Sequence, residues 1–139
     1  MSPSYVLDVS ATLAWCFEDE ATRDSNSLLL GAEFSTILVP GLWHIELINV
    51  LLQAERRKRL TMVQISDFLD LVGGIEIQTD PEQIDIASRS LIDLARRHQL
   101  TAYDATYLDL AIKRGIPLAT RDKALMRAAP AAGVELVPT

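Results

Sequence analysis

The sequence predicts an α/β fold in which a parallel β-sheet of about five strands is flanked by helices on both faces. The first observation behind this prediction is that short apolar, β-branched segments alternate with longer segments of helical periodicity, as in successive βαβ units. The second is that 49% of the residues are hydrophobic, which is enough for a sizeable core. The third is that the 139 residues contain no linker, low-complexity tract or internal repeat. Residues 1–139 are therefore expected to form a single domain.

Capping and turn residues set the boundaries of the elements in the first half of the chain. Ser10 is a suitable N-cap after the first strand, and Pro40 ends the second. Thr61 is a suitable N-cap for a helix that Gly73 and Gly74 close. The elements predicted there are a strand at 4–9, helices at 11–17 and about 20–30, a strand at 35–40, and helices at 42–59 and 63–72.

The second half of the chain continues the same alternation. Pro81 is a favoured first residue of a helix, and Gly115 is a favoured residue just past the end of one. The elements predicted there are a strand at 75–79, helices from 81 to about 98 and from about 101 to 115, a strand at 116–120, a short helix at 122–129 and a strand at 134–138. Parallel strands joined by helices share one carboxyl edge, and α/β folds bind their ligands there.

Composition limits the classes of function and location. The formal net charge is −6 and the pI is near 4.8, which argues against a protein that coats nucleic acid through bulk positive charge but not against an enzyme that acts on a polyanion. Cys16 stands alone, which rules out an internal disulfide and a cysteine-rich metal site and fits a reducing, cytoplasmic setting. The N-terminus lacks the basic start of a signal peptide. Because no apolar run approaches the roughly 18 residues that span a bilayer, no membrane partner is expected.

Asp104 and Asp109 lie in one predicted helix but face in different directions. Five residues at roughly 100° each place these aspartates about 140° apart around the helix. Asp109 has Lys113 one turn on and is expected to form an ordinary ion pair. A capping box that begins at Thr101 would account for Asp104 in structural terms, but not for its apolar company. The residues that share its stripe are Leu100, Tyr107, Leu108 and Ala111.

Three further acids are predicted near the carboxyl ends of the strands. Asp8 lies near the end of the first strand, where aspartate is rare. The structural alternative is that its carboxylate accepts hydrogen bonds from nearby backbone. Glu46 lies one turn into the helix after the second strand and faces a mostly apolar stripe, where a lone carboxylate is costly. Asp122 follows the fourth strand, where an N-cap explains it as well as a functional role does. The shared position of all four acids at one edge is a stronger indication than any one of them.

A cluster of four acids at one edge predicts a bound cation. Four carboxylates within a few ångström repel one another, and at least one of them would hold a proton. A divalent cation removes this repulsion, and oxygen ligands without a Cys or His cluster favour Mg²⁺ or Mn²⁺ over zinc. Ions held by few carboxylates and several waters typically serve phosphoryl chemistry.

The order of these residues resembles that of the PIN-domain nucleases, and most closely that of the VapC-type toxin ribonucleases of bacterial type II toxin–antitoxin modules. The likeness rests on Asp8-x-Ser10, on Glu46 in WHIELINVL, and on YDATYLDLA followed by LATRD, and it covers essentially the whole chain. Ser10 and Thr120 would line the family's site, although both hydroxyls could instead be local caps. The acidic catalytic site that the resemblance implies is made of Asp8, Glu46, Asp104 and Asp122.

The resemblance implies a metal-dependent endoribonuclease that hydrolyses RNA phosphodiesters with metal-activated water, and the charge argument agrees with it on a divalent cation and phosphoryl chemistry. Asp8, Asp104 and Asp122 would hold one Mg²⁺ or Mn²⁺, directly or through water. Glu46 would bind a second ion or orient the attacking water.

The resemblance also implies an RNA substrate, a cognate antitoxin protein and a homodimer. In the family an antitoxin peptide lies in an apolar groove near the early helices, which makes Trp15 and Phe17 candidate contacts. Arg121 and Lys123 flank the last acid of the site, and they are candidate contacts for the RNA phosphate.

Three alternatives from other functional classes stay open. A catalytically silent PIN fold that only binds RNA or a protein could keep all four acids. A response-regulator receiver usually needs an adjacent acidic pair near the first strand, which here offers only Asp8. A phosphatase built on Asp-x-Asp is disfavoured because residue 10 is Ser10. A nuclease assay with and without a chelator separates the enzyme from a binding module.

Overall fold

The computed structural model describes residues 4–139, so the first three residues of the predicted domain lie outside the described part. Within it the strands are β1 Ser4–Leu7, β2 Thr36–Val39, β3 Ile77–Thr79 and β4 Leu118–Ala119. The α-helices are α1 Val9–Leu13, α2 Arg23–Leu30, α3 Leu42–Arg56, α4 Met62–Gly73, α5 Arg89–His98, α6 Ala102–Arg114 and α7 Lys123–Ala131. None of these described helices is both long and apolar enough to cross a bilayer.

The sheet is parallel throughout and has the strand order β3-β2-β1-β4. Its register pairs Tyr5 with Ile37 and Val6 with Leu118, which makes β1 a central strand. Because the consecutive residues Tyr5, Val6 and Leu7 are all buried, both faces of the sheet are covered. Helix α6 packs against β1 and also contacts α5 and α7. The predicted α/β class with a parallel, helix-flanked sheet is confirmed.

The predicted fifth strand is wrong as a full strand. In the described chain its segment makes one isolated parallel bridge, between Leu118 and Leu136. Two backbone hydrogen bonds support it, from Leu118 N to Glu135 O at 2.9 Å and from Val137 N to Leu118 O at 2.9 Å. The pairing is limited because β4 offers only two residues, Leu118–Ala119.

The helix predicted from residue 81 to about 98 is also corrected, because α5 begins only at Arg89. The Asp85 side chain accepts a hydrogen bond from Ala87 N at 2.9 Å, a local turn that competes with helix formation. Ile84 and Ile86 are 60% and 90% exposed, so a helix here would have no apolar face to bury. A favourable proline at position 81 does not overcome these two effects.

The start of helix α1 differs from the prediction, and the difference affects Asp8. Helix α1 begins at Val9 with Asp8 as its N-cap, so Ser10 is not the cap. The Asp8 side chain makes no capping hydrogen bond to the helix. Its carboxylate is therefore available to other partners, directly at the carboxyl end of the central strand.

Candidate active site

The carboxyl edge of the sheet brings together residues from distant parts of the sequence. Asp8 follows β1 directly, and Thr120 and Asp122 follow β4. Glu46 lies in the first turns of α3, which begins shortly after β2 ends. Asp104 lies in the first turn of α6, the helix that packs against β1. Every predicted acid is thus carried by an element that starts at, or leaves from, this edge.

Asp8 is the buried centre of this edge, with only 5% of its surface exposed. Its Oδ2 accepts a hydrogen bond from Ser10 Oγ at 2.6 Å and another from Thr120 Oγ1 at 2.7 Å. Both hydroxyl groups therefore contact the acid that they were predicted to accompany. Two donors on one oxygen fix the plane of the carboxylate and leave Oδ1 free of both.

Thr120 connects Asp8 to Asp122. The Thr120 side chain is buried, and its Oγ1 accepts a hydrogen bond from Asp122 N at 3.1 Å. Asp122 Oδ2 in turn accepts from Leu125 N at 3.0 Å, so Asp122 is the N-cap of α7. The structural alternative for Asp122 is therefore correct. Capping commits only one of its carboxylate oxygens, and Oδ1 takes no part in it.

Glu46 is half-buried and bonded to a tyrosine from another helix. Tyr107 Oη donates a hydrogen bond to Glu46 Oε1 at 2.6 Å. Tyr107 lies three residues after Asp104, so both side chains are on the same face of α6. The sequence pattern alone predicts Tyr107 only as a member of an apolar stripe. The signal that could have found it is that a buried tyrosine hydroxyl usually has a polar partner.

Burial and mutual repulsion raise the pKa values at this edge. Burial raises the pKa of Asp104 to about 6, and the negative charges of Asp122 and Asp8 add to this effect. Burial also raises the pKa of Asp8, against the effect of its two hydroxyl hydrogen bonds. Glu46 behaves alike: burial raises its pKa, and its tyrosine hydrogen bond opposes the change. The acids therefore lie near enough to act on one another through their charges.

The donor atoms at this edge fit a hard divalent cation in their chemistry. They are all carboxylate or hydroxyl oxygens, the ligands that Mg²⁺ and Mn²⁺ prefer, and a cation would relieve their repulsion. Between Ser4 and Thr139, however, no three acidic, histidine or cysteine side chains already form a compact metal cluster. Mg²⁺ usually keeps several waters and needs few direct protein ligands. The residues that could hold such an ion are Asp8, Asp104 and Asp122, with Glu46 nearby.

Comparison with known proteins agrees with this arrangement. The family model for the PIN domain matches residues 5–130. The chain belongs to the PIN domain family. PIN is a nuclease-type fold whose members are generally metal-dependent, typically with divalent ions such as Mg²⁺. The predicted resemblance is thereby confirmed at the level of the PIN family, and the VapC-type toxin assignment stays a prediction.

The PIN fold of this chain is also found among solved structures, of which 20 chains match. One of them is the crystal structure of PAE2754 from Pyrobaculum aerophilum, with a TM-score of 0.69 and 25% sequence identity. The match covers 99% of this chain and 85% of that chain. No curated protein sequence matches the chain.

The two basic residues beside Asp122 take different positions in this PIN domain. The Arg121 guanidinium donates to the carbonyl oxygen of Glu20 at 2.6 Å, whereas its backbone N–H donates to Ser10 Oγ at 2.8 Å. Lys123 is exposed at the start of α7. The backbone N–H of Arg121 thus contacts the Ser10 hydroxyl beside Asp8, while its guanidinium is bonded to the Glu20 carbonyl. The role of either residue as a phosphate contact stays a prediction.

Replacing Thr120 by valine should lower the free energy of unfolding of the PIN domain by about 1–3 kcal/mol. Valine keeps the branched shape but removes the donor to Asp8 and the acceptor of Asp122 N–H. Thr106→Val is the matched control, because Thr106 is also buried and bonds only a carbonyl of its own helix, Ala102 O at 2.8 Å. Urea denaturation measures both variants, and equal losses would contradict a special role for the Thr120 hydroxyl.

Proposed function

We propose that this PIN domain is a metal-dependent endoribonuclease that acts as the toxin of a bacterial type II toxin–antitoxin system of the VapC type. The observation that carries the nuclease proposal is the position of the four acids at one carboxyl edge of the sheet, around the buried Asp8 that Ser10 and Thr120 hold by hydrogen bonds. Repulsion among these carboxylates costs stability unless a cation offsets it, which favours a role in binding one. The toxin role rests on the resemblance of the motifs to VapC-type ribonucleases.

The four acids divide into two roles in the proposed reaction. Asp8, Asp104 and Asp122 would hold one Mg²⁺ or Mn²⁺, directly or through water. When bound, the cation would lower the pKa of a water and offset negative charge on the phosphate oxygens. Asp8 is held in place for this task by its two hydroxyl donors. Glu46 orients the attacking water or holds a second ion.

The RNA approaches the exposed side of this edge in the proposed complex. Lys123 directly follows Asp122 and is exposed, so in the proposed complex it contacts a phosphate next to the cleaved one. Arg121 could do so only after its guanidinium leaves the Glu20 carbonyl. Since the protein carries a net charge of −6, local contacts and the cation, not bulk charge, would hold the RNA.

The proposed antitoxin docks in a groove between the end of α1 and helix α4. This groove has a volume of about 590 Å³ and is lined by the predicted contacts Trp15 and Phe17 together with Phe68 and Leu71. The Arg59 guanidinium lies over the Phe17 ring at 3.6 Å from its centroid and is ion-paired with Asp19 at 3.2 Å, so the groove combines apolar and charged surface. A homodimer, which the VapC-type resemblance implies, and a cytoplasmic location, which the lone Cys16 fits, complete the proposal.

RNA cleavage by the purified full chain tests the enzymatic part. Single-stranded RNA should be cut internally in Mg²⁺ or Mn²⁺, and EDTA should abolish cutting that added Mn²⁺ then restores. RNA binding without cleavage under any divalent metal would overturn the nuclease and support the catalytically silent PIN fold.

Induced expression in a bacterial host tests the toxin part. Expression of the wild type should arrest growth, and Asp8→Asn should relieve the arrest at equal protein levels. Continued growth with a demonstrably active ribonuclease would overturn the toxin role and leave the enzymatic proposal intact.

A further inference from the structure

The hydrogen bond between Tyr107 and Glu46 joins a core residue to the candidate active site. Tyr107 is 0% exposed, and its ring belongs to the main hydrophobic core. Its hydroxyl donates a hydrogen bond to Glu46 Oε1 at 2.6 Å. A hydrogen bond of this length to a carboxylate is charge-assisted and stronger than one between neutral groups. A phenylalanine would fill the same core volume, so the hydroxyl acts on Glu46 and not on packing.

The orientation of this bond restricts Glu46 and leaves part of it available. Oε1 accepts from Tyr107, while Oε2 accepts no hydrogen bond from any residue between Ser4 and Thr139. Burial is the main cause that raises the pKa of Tyr107, so its hydroxyl stays protonated and remains a donor. Without this bond, a half-buried glutamate on a helix would populate several rotamers. The Tyr107 hydroxyl therefore favours the one Glu46 rotamer that accepts its hydrogen bond.

Helix α6 links this contact to the rest of the site. Asp104 and Tyr107 lie one turn apart on the same face of α6, and Glu46 is on α3. The Tyr107 hydroxyl is a direct side-chain tie between these two helices at the carboxyl edge. The bond thereby sets the position of Glu46 on α3 relative to Asp104, which lies on the same helix as Tyr107.

We infer that Tyr107 is a positioning residue that fixes the Glu46 carboxylate with its free oxygen available to the water or ion of the nuclease reaction. This inference rests on the proposed function, since Glu46 must take part in that reaction. Tyr107 itself touches neither RNA nor cation, because it is completely buried. It acts only through Glu46.

Tyr107→Phe tests the inference in the full chain, with Tyr5→Phe as its matched control. Tyr5 is a second core tyrosine, 2% exposed, whose hydroxyl has no hydrogen-bond partner among the described residues. Tyr107→Phe should lower kcat about 10-fold with KM changed less than about twofold, as is usual for residues that support a ligand or catalytic group. Tyr5→Phe should leave both constants unchanged. In a Glu46→Gln background, Tyr107→Phe should cause no further loss, because its effect passes through Glu46.

Crystal structures of the two phenylalanine variants give a readout that does not depend on activity. The Glu46 carboxylate should move or occupy several conformers in Tyr107→Phe, with the backbone unchanged, and should stay in place in Tyr5→Phe. An unmoved Glu46, or a kcat within about twofold of the wild type, would overturn the inference while wild-type cleavage upholds the proposed function. If the wild type does not cleave RNA, the proposed function fails, and a displaced Glu46 would still support the positioning contact.

Discussion

Asp104→Asn should reduce RNA cleavage at least about 100-fold in saturating Mg²⁺. The substitution keeps the size of the side chain and removes the negative charge that would face the cation. Asp109→Asn is the matched control on the same helix, since Asp109 forms an ordinary ion pair with Lys113 at 3.0 Å. A partly exposed pair of this kind contributes little, so the control should cleave within about twofold of the wild type. Initial rates on one labelled RNA, at equal protein concentration, measure all three proteins.

The same substitution should make the metal-free protein more stable at pH 7.5, although it destroys activity. Burial and the neighbouring acids raise the pKa of Asp104 to about 6, so its ionised form is unfavourable in the folded state. Because Asp104 is partly exposed, solvent screening reduces the gain from its removal to about 1 kcal/mol. Lost cleavage together with a lowered melting temperature would instead indicate damage to the fold, and it would contradict the proposed ligand role.

Divalent cations should stabilise the wild type at pH 7.5 much more than at pH 5. An ion that binds only the folded protein, at 100 times its Kd, contributes about 2.7 kcal/mol, or roughly 5–10 °C in melting temperature. At pH 5 protons compete for the same carboxylates, because Asp104 has a pKa of about 6 and burial raises the pKa values of Asp8 and Glu46 as well. The cation-dependent shift should therefore be largely lost at the lower pH.

Without a cation, the pH dependence should have the opposite sign. The pKa of Asp104 rises from an ordinary value of 3.8 to about 6, so between these values the folded state binds more protons than the unfolded state. Its contribution to the free energy of unfolding then falls as the pH increases through this range. Melting curves from pH 4.5 to pH 8 in EDTA and in Mn²⁺, at matched ionic strength, measure both effects. Equal shifts by Mn²⁺ at the two ends would contradict a site made of raised-pKa acids.

The fold was largely predictable because its strands and helices carry strong local signals. Alternation of apolar strands with periodic helices fixed the parallel α/β class, and Gly115 marked the end of α6, where the residue has a positive φ of 63°. The predictions were wrong where a segment has a local preference for helix or strand but lacks the tertiary contacts that would stabilise it. Pro81 is a good helix start, but Ile84 and Ile86 stay exposed and add no buried apolar face that would stabilise a helix. The last strand had a suitable composition but a partner strand only two residues long.

The candidate site was predictable in its charges and less so in its neutral partners. Asp8 and Asp104 were conspicuous because a carboxylate is unusual in a strand end or at the head of an apolar stripe. Tyr107 was not conspicuous, since tyrosine fits an apolar stripe and only the folded structure shows which group its hydroxyl meets. The shift of the α1 start to Val9 was likewise hidden, because Ser10 has a better use on Asp8 than as a cap.

The direct passage from β1 into α1 makes Asp8 the most firmly held acid of the candidate site. Its backbone N–H bonds Ala119 O at 3.0 Å, and its carbonyl accepts from Ala11 N and Thr12 N at 3.2 Å each. With its side chain held as well, Asp8 has no freedom to follow an incoming ligand. Tyr107 also holds one oxygen of Glu46, so accommodation of a ligand would fall mainly to the Asp104 side chain on α6.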